Sequence, residues 1–251
     1  MPLDSSPLPA SPEMPPPERP GSGLNFLVAR TLRDVEEAWG LVYQAYRRDK
    51  LIDANRHEIH ATRQAVGPRT AVILASLGPE LTGTLSVYAD GNDGLPLDSV
   101  YPAEIDALRQ AGRRIVEVGL FADRREHMNR AADGLFELMR FAYYFAIHMK
   151  ADDGIIGVHP RHAPFYMRLL GFDKIGPVRA YPTVCDRAVV LLRAPIRERA
   201  SQDPRPKGLA YFLGHPLGPE AFAGRFLFDD PQMPTSRIGM FLADKRTANA
   251  A

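Results

Sequence analysis

The chain has 251 residues and a mass of 27.8 kDa; 45% of its residues are apolar, and 31 basic side chains against 30 acidic ones leave a net charge of +1. That balance argues against a strongly basic nucleic-acid footprint, and the single cysteine, Cys185, excludes an internal disulfide and points to a reducing cytoplasm. No window holds the roughly 18 uninterrupted apolar residues of a membrane helix, and the first 25 residues lack the basic start and apolar core of a secretory signal.

Eight prolines fall within the first 20 residues, followed by Gly21, Ser22 and Gly23, so residues 1–22 read as a disordered arm. Residues 24–30 alternate like a strand. From Asp34 to Arg47, Val35, Ala38, Leu41, Val42, Ala45 and Tyr46 recur at helical spacing. Residues 70–76 and 81–88 are β-rich runs separated by Leu77-Gly78-Pro79-Glu80, the pattern of a hairpin. A turn-rich loop over 91–96 leads to a short helix over 102–112, with proline near its start and glycine at its end.

Strand, helix, strand, helix and strand follow over 114–122, 135–150, 154–159, 163–170 and 188–193; the helix over 135–150 is apolar on nearly all sides and predicts deep burial. The compact part is one domain over 23–199. Its element order, β-α-β-β-α-β-α-β-α-β, predicts an α/β fold with a mixed central sheet flanked by helices. Beyond it, residues 200–251 form a proline-interrupted extension, expected to be irregular, docked through its phenylalanines and frayed after Asp244.

The strand Arg114 to Ala122 carries Glu117 in its middle. Period-two alternation puts Val116, Val118, Leu120 and Ala122 on one face and Ile115, Glu117, Gly119 and Phe121 on the other. A buried carboxylate has a raised pKa and suits a general base, and Gly119 leaves room beside the backbone. The alternative is a structural glutamate paired with an arginine such as Arg30 or Arg140. The next loop holds Arg124, Arg125 and Arg130 before a helix N-terminus, either a phosphate cradle or a solvated charged loop.

His159 and Tyr166 flank the end of the next strand, where they can move a proton or simply pack. The pairs His57/His60 and His159/His162 lack a third ligand at diagnostic spacing, so no metal is expected. Gly-rich nucleotide fingerprints are absent.

Gly94-Leu95-Pro96-Leu97-Asp98, Arg114-Ile115-Val116-Glu117-Val118-Gly119 and, most specifically, His159-Pro160-Arg161-His162-Ala163-Pro164-Phe165-Tyr166-Met167-Arg168-Leu169-Leu170-Gly171-Phe172 resemble the FeeM-type long-chain N-acyl amino acid synthases. The resemblance covers roughly residues 26–194. It implies a GNAT-like acyltransferase, akin to the acyl-homoserine lactone synthases, that passes a fatty acyl group from an acyl carrier protein thioester to the amine of an amino acid, with no bound cofactor.

By position, the resemblance implies that Glu117 is the acid of the reaction strand and that Tyr43, Tyr46 and Arg47 fold over the substrate. On the mechanism this suggests, a backbone N–H near Leu120 or Phe121 holds the oxyanion, Tyr166 or His159 protonates the leaving thiolate, and Arg124, Arg125 and Arg130 attract the carrier protein and its phosphopantetheine phosphate. The run Arg130-Ala131-Ala132-Asp133-Gly134-Leu135 lacks a glycine of the GNAT pyrophosphate motif, which ranks acyl-coenzyme A behind the carrier protein as donor. The rival readings are an acyl-homoserine lactone synthase, a generic acyl-coenzyme A N-acetyltransferase, and a non-catalytic module that binds acyl carrier protein.

Overall fold

In a computed structural model, residues 23–124 and 128–250 are described, without the side chains of 128–133 and 248–250. The proposed arm over 1–22 lies outside them. Strands β1 (Leu24–Val28), β2 (Thr70–Leu77), β3 (Glu80–Ala89), β4 (Ile115–Asp123), β5 (Asp153–Val158), β6 (Asp173–Lys174), β7 (Arg179–Tyr181) and β8 (Arg187–Pro195) form a mixed sheet in the order β1-β2-β3-β4-β5-β8-β6, with β7 also paired to β8. The β4–β5 pair is parallel and the others are antiparallel. Helices α1 (Leu32–Arg48), α2 (Pro102–Gln110), α3 (Met128–His148), α4 (Ala163–Leu170), α5 (Ile196–Ala200), α6 (Lys207–Gly214) and α7 (Arg237–Ala250) flank it. This is the α/β class that the sequence predicts. The two short strands β6 and β7, too brief to show periodicity, were not expected.

Local chemistry sets the helix that covers the site. Thr31 caps α1: its hydroxyl accepts the Asp34 N–H at 3.1 Å while the Asp34 carboxylate accepts the Thr31 N–H at 3.0 Å. Val35, Ala38, Trp39, Leu41, Val42 and Ala45 then form its buried stripe, and the Trp39 indole N–H donates to Ser86 Oγ at 3.1 Å on β3. The opposite face of the sheet packs on α3, where Leu138, Phe145 and Ala146 are almost fully buried. At the end of α4, Gly171 closes the helix at φ 72°, a left-handed conformation that favours glycine.

Two expectations are corrected. The alternation along β4 breaks: Ser86 pairs with Gly119 and Thr84 with Ala122, so Leu120 and Phe121 together face the one intervening residue of β3. This β-bulge, with Leu120 at φ 48°, turns Leu120 onto the α1 face and Phe121 onto the α3 face, the reverse of strict alternation. The C-terminal extension docks through its phenylalanines as expected but is irregular only in part. It contains α6 and α7; Leu209 and Phe212 enter the core on the α3 side, while Phe226, Ile238 and Phe241 enter the core on the α1 side. Helix α7 runs through to Ala250, past the expected fraying point at Asp244.

Candidate active site

The β4–β5 ladder joins Ile115 to Asp153 and ends with Val118 opposite Ile156, although β4 continues to Asp123. The strands therefore part at the level of the bulge. Neither the ladder to β3 nor that to β5 engages Leu120 or Phe121. A bulge frees main-chain groups and re-aims them, which in a cleft makes a ready polar contact for a ligand.

Glu117 sits one residue before this opening and is 3% exposed. Its Oε2 accepts the Leu97 N–H at 3.0 Å, from the 3-10 turn Pro96–Ser99. Among the described residues no cation pairs with it; Arg140 binds Glu137 and the His215 carbonyl instead. Burial pushes its pKa well above the usual carboxylate range, the Leu97 N–H opposes that rise, and the nearby Asp98 and Asp90 add to it. Uncompensated burial of this kind is the environment that makes a carboxylate basic near neutral pH.

Around Glu117 the fold gathers phenols. Tyr88 pairs with it across the β3–β4 ladder, and Tyr181 on β7 feels its charge. Tyr46 on α1 is coupled electrostatically to Tyr88, Tyr181 and Tyr166. Burial raises all four: Tyr46 and Tyr166 to about 12, and Tyr88 and Tyr181 upward as well, so each is a neutral O–H donor at physiological pH. Tyr88 and Tyr181 escaped sequence reasoning. Tyr88 ends an expected strand, but its approach to Glu117 depends on register, and Tyr181 lies on a three-residue strand.

The other expected residues are placed as follows. Tyr166, on α4, packs its ring at 5.2 Å from Phe165 and 6.0 Å from Phe172. His159 is exposed and caps a single 3-10 turn, its Nδ1 accepting the Arg161 N–H at 3.3 Å. Tyr43 is half-buried on α1, and Tyr46 lies against the His60 ring at 5.1 Å. Burial lowers His60 to a pKa of about 4, with Lys245 adding to the effect.

Arg47 donates to the Ile52 carbonyl at 2.9 Å and so fastens the chain after α1. Arg124 donates from Nε to the Leu81 carbonyl at 2.9 Å and lies 3.5 Å from Glu80, which ties it to the β2–β3 hairpin. Arg125 lies outside the described residues, and of Arg130 only the helix backbone is described.

On the α3 side, a narrow apolar cleft of about 50 Å³ opens along β4 and β5, lined among others by Val116, Val118, Gly154, Met139, Ala142 and Phe172. Val118 lines it and is also the last β4 residue paired to β5, so the cleft extends along the closed part of the ladder up to the residue where the strands part. Among the described residues no helix is long and apolar enough to cross a membrane.

A family model described as N-acyl amino acid synthase FeeM matches residues 37–195. Among solved structures, the chain is similar to FeeM, an N-acyl amino acid synthase from uncultured soil microbes, at 27% identity and a TM-score of 0.61, over 71% of this chain and 94% of that one. It shares its fold with the AHL synthase LasI (16% identity, TM-score 0.51, 69% of this chain and 90% of that one). The fold is also that of MesI, a CoA-dependent acyl-homoserine lactone synthase (12% identity, TM-score 0.53, 77% of this chain and 97% of that one). No curated protein sequence matches.

Proposed function

The chain belongs to the FeeM family of N-acyl amino acid synthases and is an N-acyltransferase; from that premise we propose that it moves a long-chain acyl group from an acyl carrier protein thioester to the amine of an amino acid, in the cytoplasm and with no bound cofactor. The observation that carries this reading is Glu117, a buried carboxylate without a cation partner among the described residues, beside the point where β4 and β5 part.

An amino acid arrives largely as an ammonium, whereas a thioester carbonyl is already electrophilic, so proton removal and alignment dominate the barrier. A positioned base supplies about 10²–10⁴-fold. Glu117 takes one proton from the ammonium, and the freed lone pair forms the C–N bond. A main-chain N–H near Leu120 or Phe121 stabilises the developing oxyanion. As the C–S bond breaks, the second nitrogen proton balances the thiolate through Tyr166 or His159, giving amide and thiol.

The apolar cleft suits the acyl chain, each methylene buried there contributing about 0.8 kcal/mol, which favours a long donor. The arginines at 124, 125 and 130 serve the carrier protein and its phosphate.

The test offers purified protein a mixture of amino acids with acyl carrier protein or coenzyme A thioesters of equal chain length, and reads products by mass spectrometry. An N-acyl amino acid formed preferentially from the carrier protein is expected. Preference for coenzyme A overturns the donor assignment, a lactone product overturns the acceptor, and saturable binding of the carrier protein without product overturns catalysis.

A further inference from the structure

Two other buried tyrosines and the half-buried Tyr211 spend their hydroxyls on the fold. Tyr101 donates to the Pro177 and Val189 carbonyls, Tyr144 to the Phe212 carbonyl at 2.8 Å, and Tyr211 to Glu137 at 2.8 Å. Tyr88 differs. It is 2% exposed, yet its hydroxyl has no hydrogen-bond partner among the described residues. Nor is its oxygen one of the side-chain atoms sealed in without a partner, which are Thr62 Oγ1 and Arg225 Nε, so it keeps access to open space. Burying a phenol while leaving its O–H unsatisfied costs stability, and such a group in a cleft points to a ligand that completes it.

The direction of the side chain names that ligand. Tyr88 starts opposite Glu117 in the ladder, and its hydroxyl lies where a Cβ of residue 119 would stand. The phenol thus runs along β4 from the level of the carboxylate to the residue before the bulge. Gly119 is what admits it.

We infer that the Tyr88 hydroxyl holds the acceptor's amine as a bridge to Glu117, accepting a hydrogen bond from the ammonium while the carboxylate takes a proton from the same nitrogen. The inference rests on the amine-acylating reading above. In the step, one ammonium proton moves to Glu117 while a second stays hydrogen-bonded to the phenol oxygen. Tyr88 ends neutral, the amine gains its lone pair, and Glu117 carries the proton until solvent removes it. Attack then forms C–N and breaks C–S, and the second nitrogen proton leaves with the thiol. The charged or titratable groups facing Glu117 are Tyr88, Tyr181, Asp98 and Asp90, the last two held by Arg109.

The test compares wild type, Y88F and E117Q by two readouts. In turnover with the amino acid and thioester of the wild-type reaction, Y88F is expected to lose at least about tenfold in kcat with both KM values within about twofold. Unchanged kcat overturns the bridge. The second readout needs no reaction: the Glu117 carboxyl is titrated by carbon NMR of ¹³C-glutamate protein, its signal assigned by its absence in E117Q. Saturating amino acid is expected to lower the Glu117 midpoint by at least about half a unit in wild type and to leave it unmoved in Y88F; an equal shift in both, or none in either, overturns the bridge even if wild type acylates no amine tried, which by itself would overturn only the reaction. Should Y88F not fold by circular dichroism, G119A, which displaces the hydroxyl but keeps the phenol, is expected to give the same two effects, and wild-type values there overturn the bridge.

Discussion

The main-chain N–H of Leu97 donates to Glu117 Oε2 at 3.0 Å, a contact between residues 20 apart that holds the site carboxylate by the backbone rather than by a cation. A backbone donor orients the oxygen without neutralising it, which leaves the charge available for proton transfer. The arrangement places a cost on the fold that pH can reveal.

Because the folded pKa of Glu117 is raised, the native state holds its proton to higher pH than the unfolded chain does. Below the ordinary carboxylate value of about 4.5 both states are protonated and Glu117 costs nothing. As pH rises from there towards the folded value, stability falls, because the unfolded state releases the proton first. E117Q is therefore expected to melt with wild type at acidic pH and above it at neutral pH, by scanning calorimetry. Its turnover is expected to fall at least about tenfold. An E117Q variant less stable than wild type at pH 7 contradicts the burial argument.

Gly119 and Tyr88 are expected to couple. A Cβ at 119 would meet the Tyr88 hydroxyl in hard contact but only touch the ring carbon beside it, at 3.4 Å. G119A alone should destabilise by about 1–3 kcal/mol through overpacking. In Y88F the same change should cost much less, leaving an interaction energy of at least about 1 kcal/mol in a double-mutant cycle from denaturant unfolding. Additive effects would place the phenol elsewhere.

Donor length is set by the cleft on the α3 side. Gly154 lines it, and a Cβ there meets no atom within 4 Å. A valine at this β5 position suits a strand and fills space that the acyl chain otherwise occupies. G154V is expected to keep the fold and to shift preference towards shorter thioesters, read as the ratio of kcat/KM across a chain-length series. An unchanged ratio would exclude this cleft as the acyl site.

Arg109 braces the turn that serves Glu117. Its guanidinium bonds Asp90 at 2.7 Å and Asp98 at 2.7 Å, and Asp98 accepts the Leu95 N–H at 2.7 Å two residues before Leu97. R109A leaves Asp90 and Asp98 uncompensated and frees the turn. It is expected to cost on the order of 2–3 kcal/mol of stability in urea unfolding and to lower kcat more than it raises KM. Lysine, which lacks the planar fork, should rescue only in part.

Much of this molecule is legible in its order of residues. The stripe from Val35 to Ala45, the hairpin around Gly78, the mid-strand Glu117 and the helix stopped at Gly171 follow from periodicity and turn chemistry, which act over a few neighbours. What depends on contacts between distant segments was decided only on folding. Among these are the bulge that swaps Leu120 and Phe121, the strands β6 and β7, the helices α6 and α7 that fill both cores, and the approach of Tyr88 and Tyr181 to Glu117. Register is the reason: a phenol on β3 approaches a carboxylate on β4 only because one particular hydrogen-bonded pairing sets them opposite one another, and a local pattern carries no information about which pairing that is.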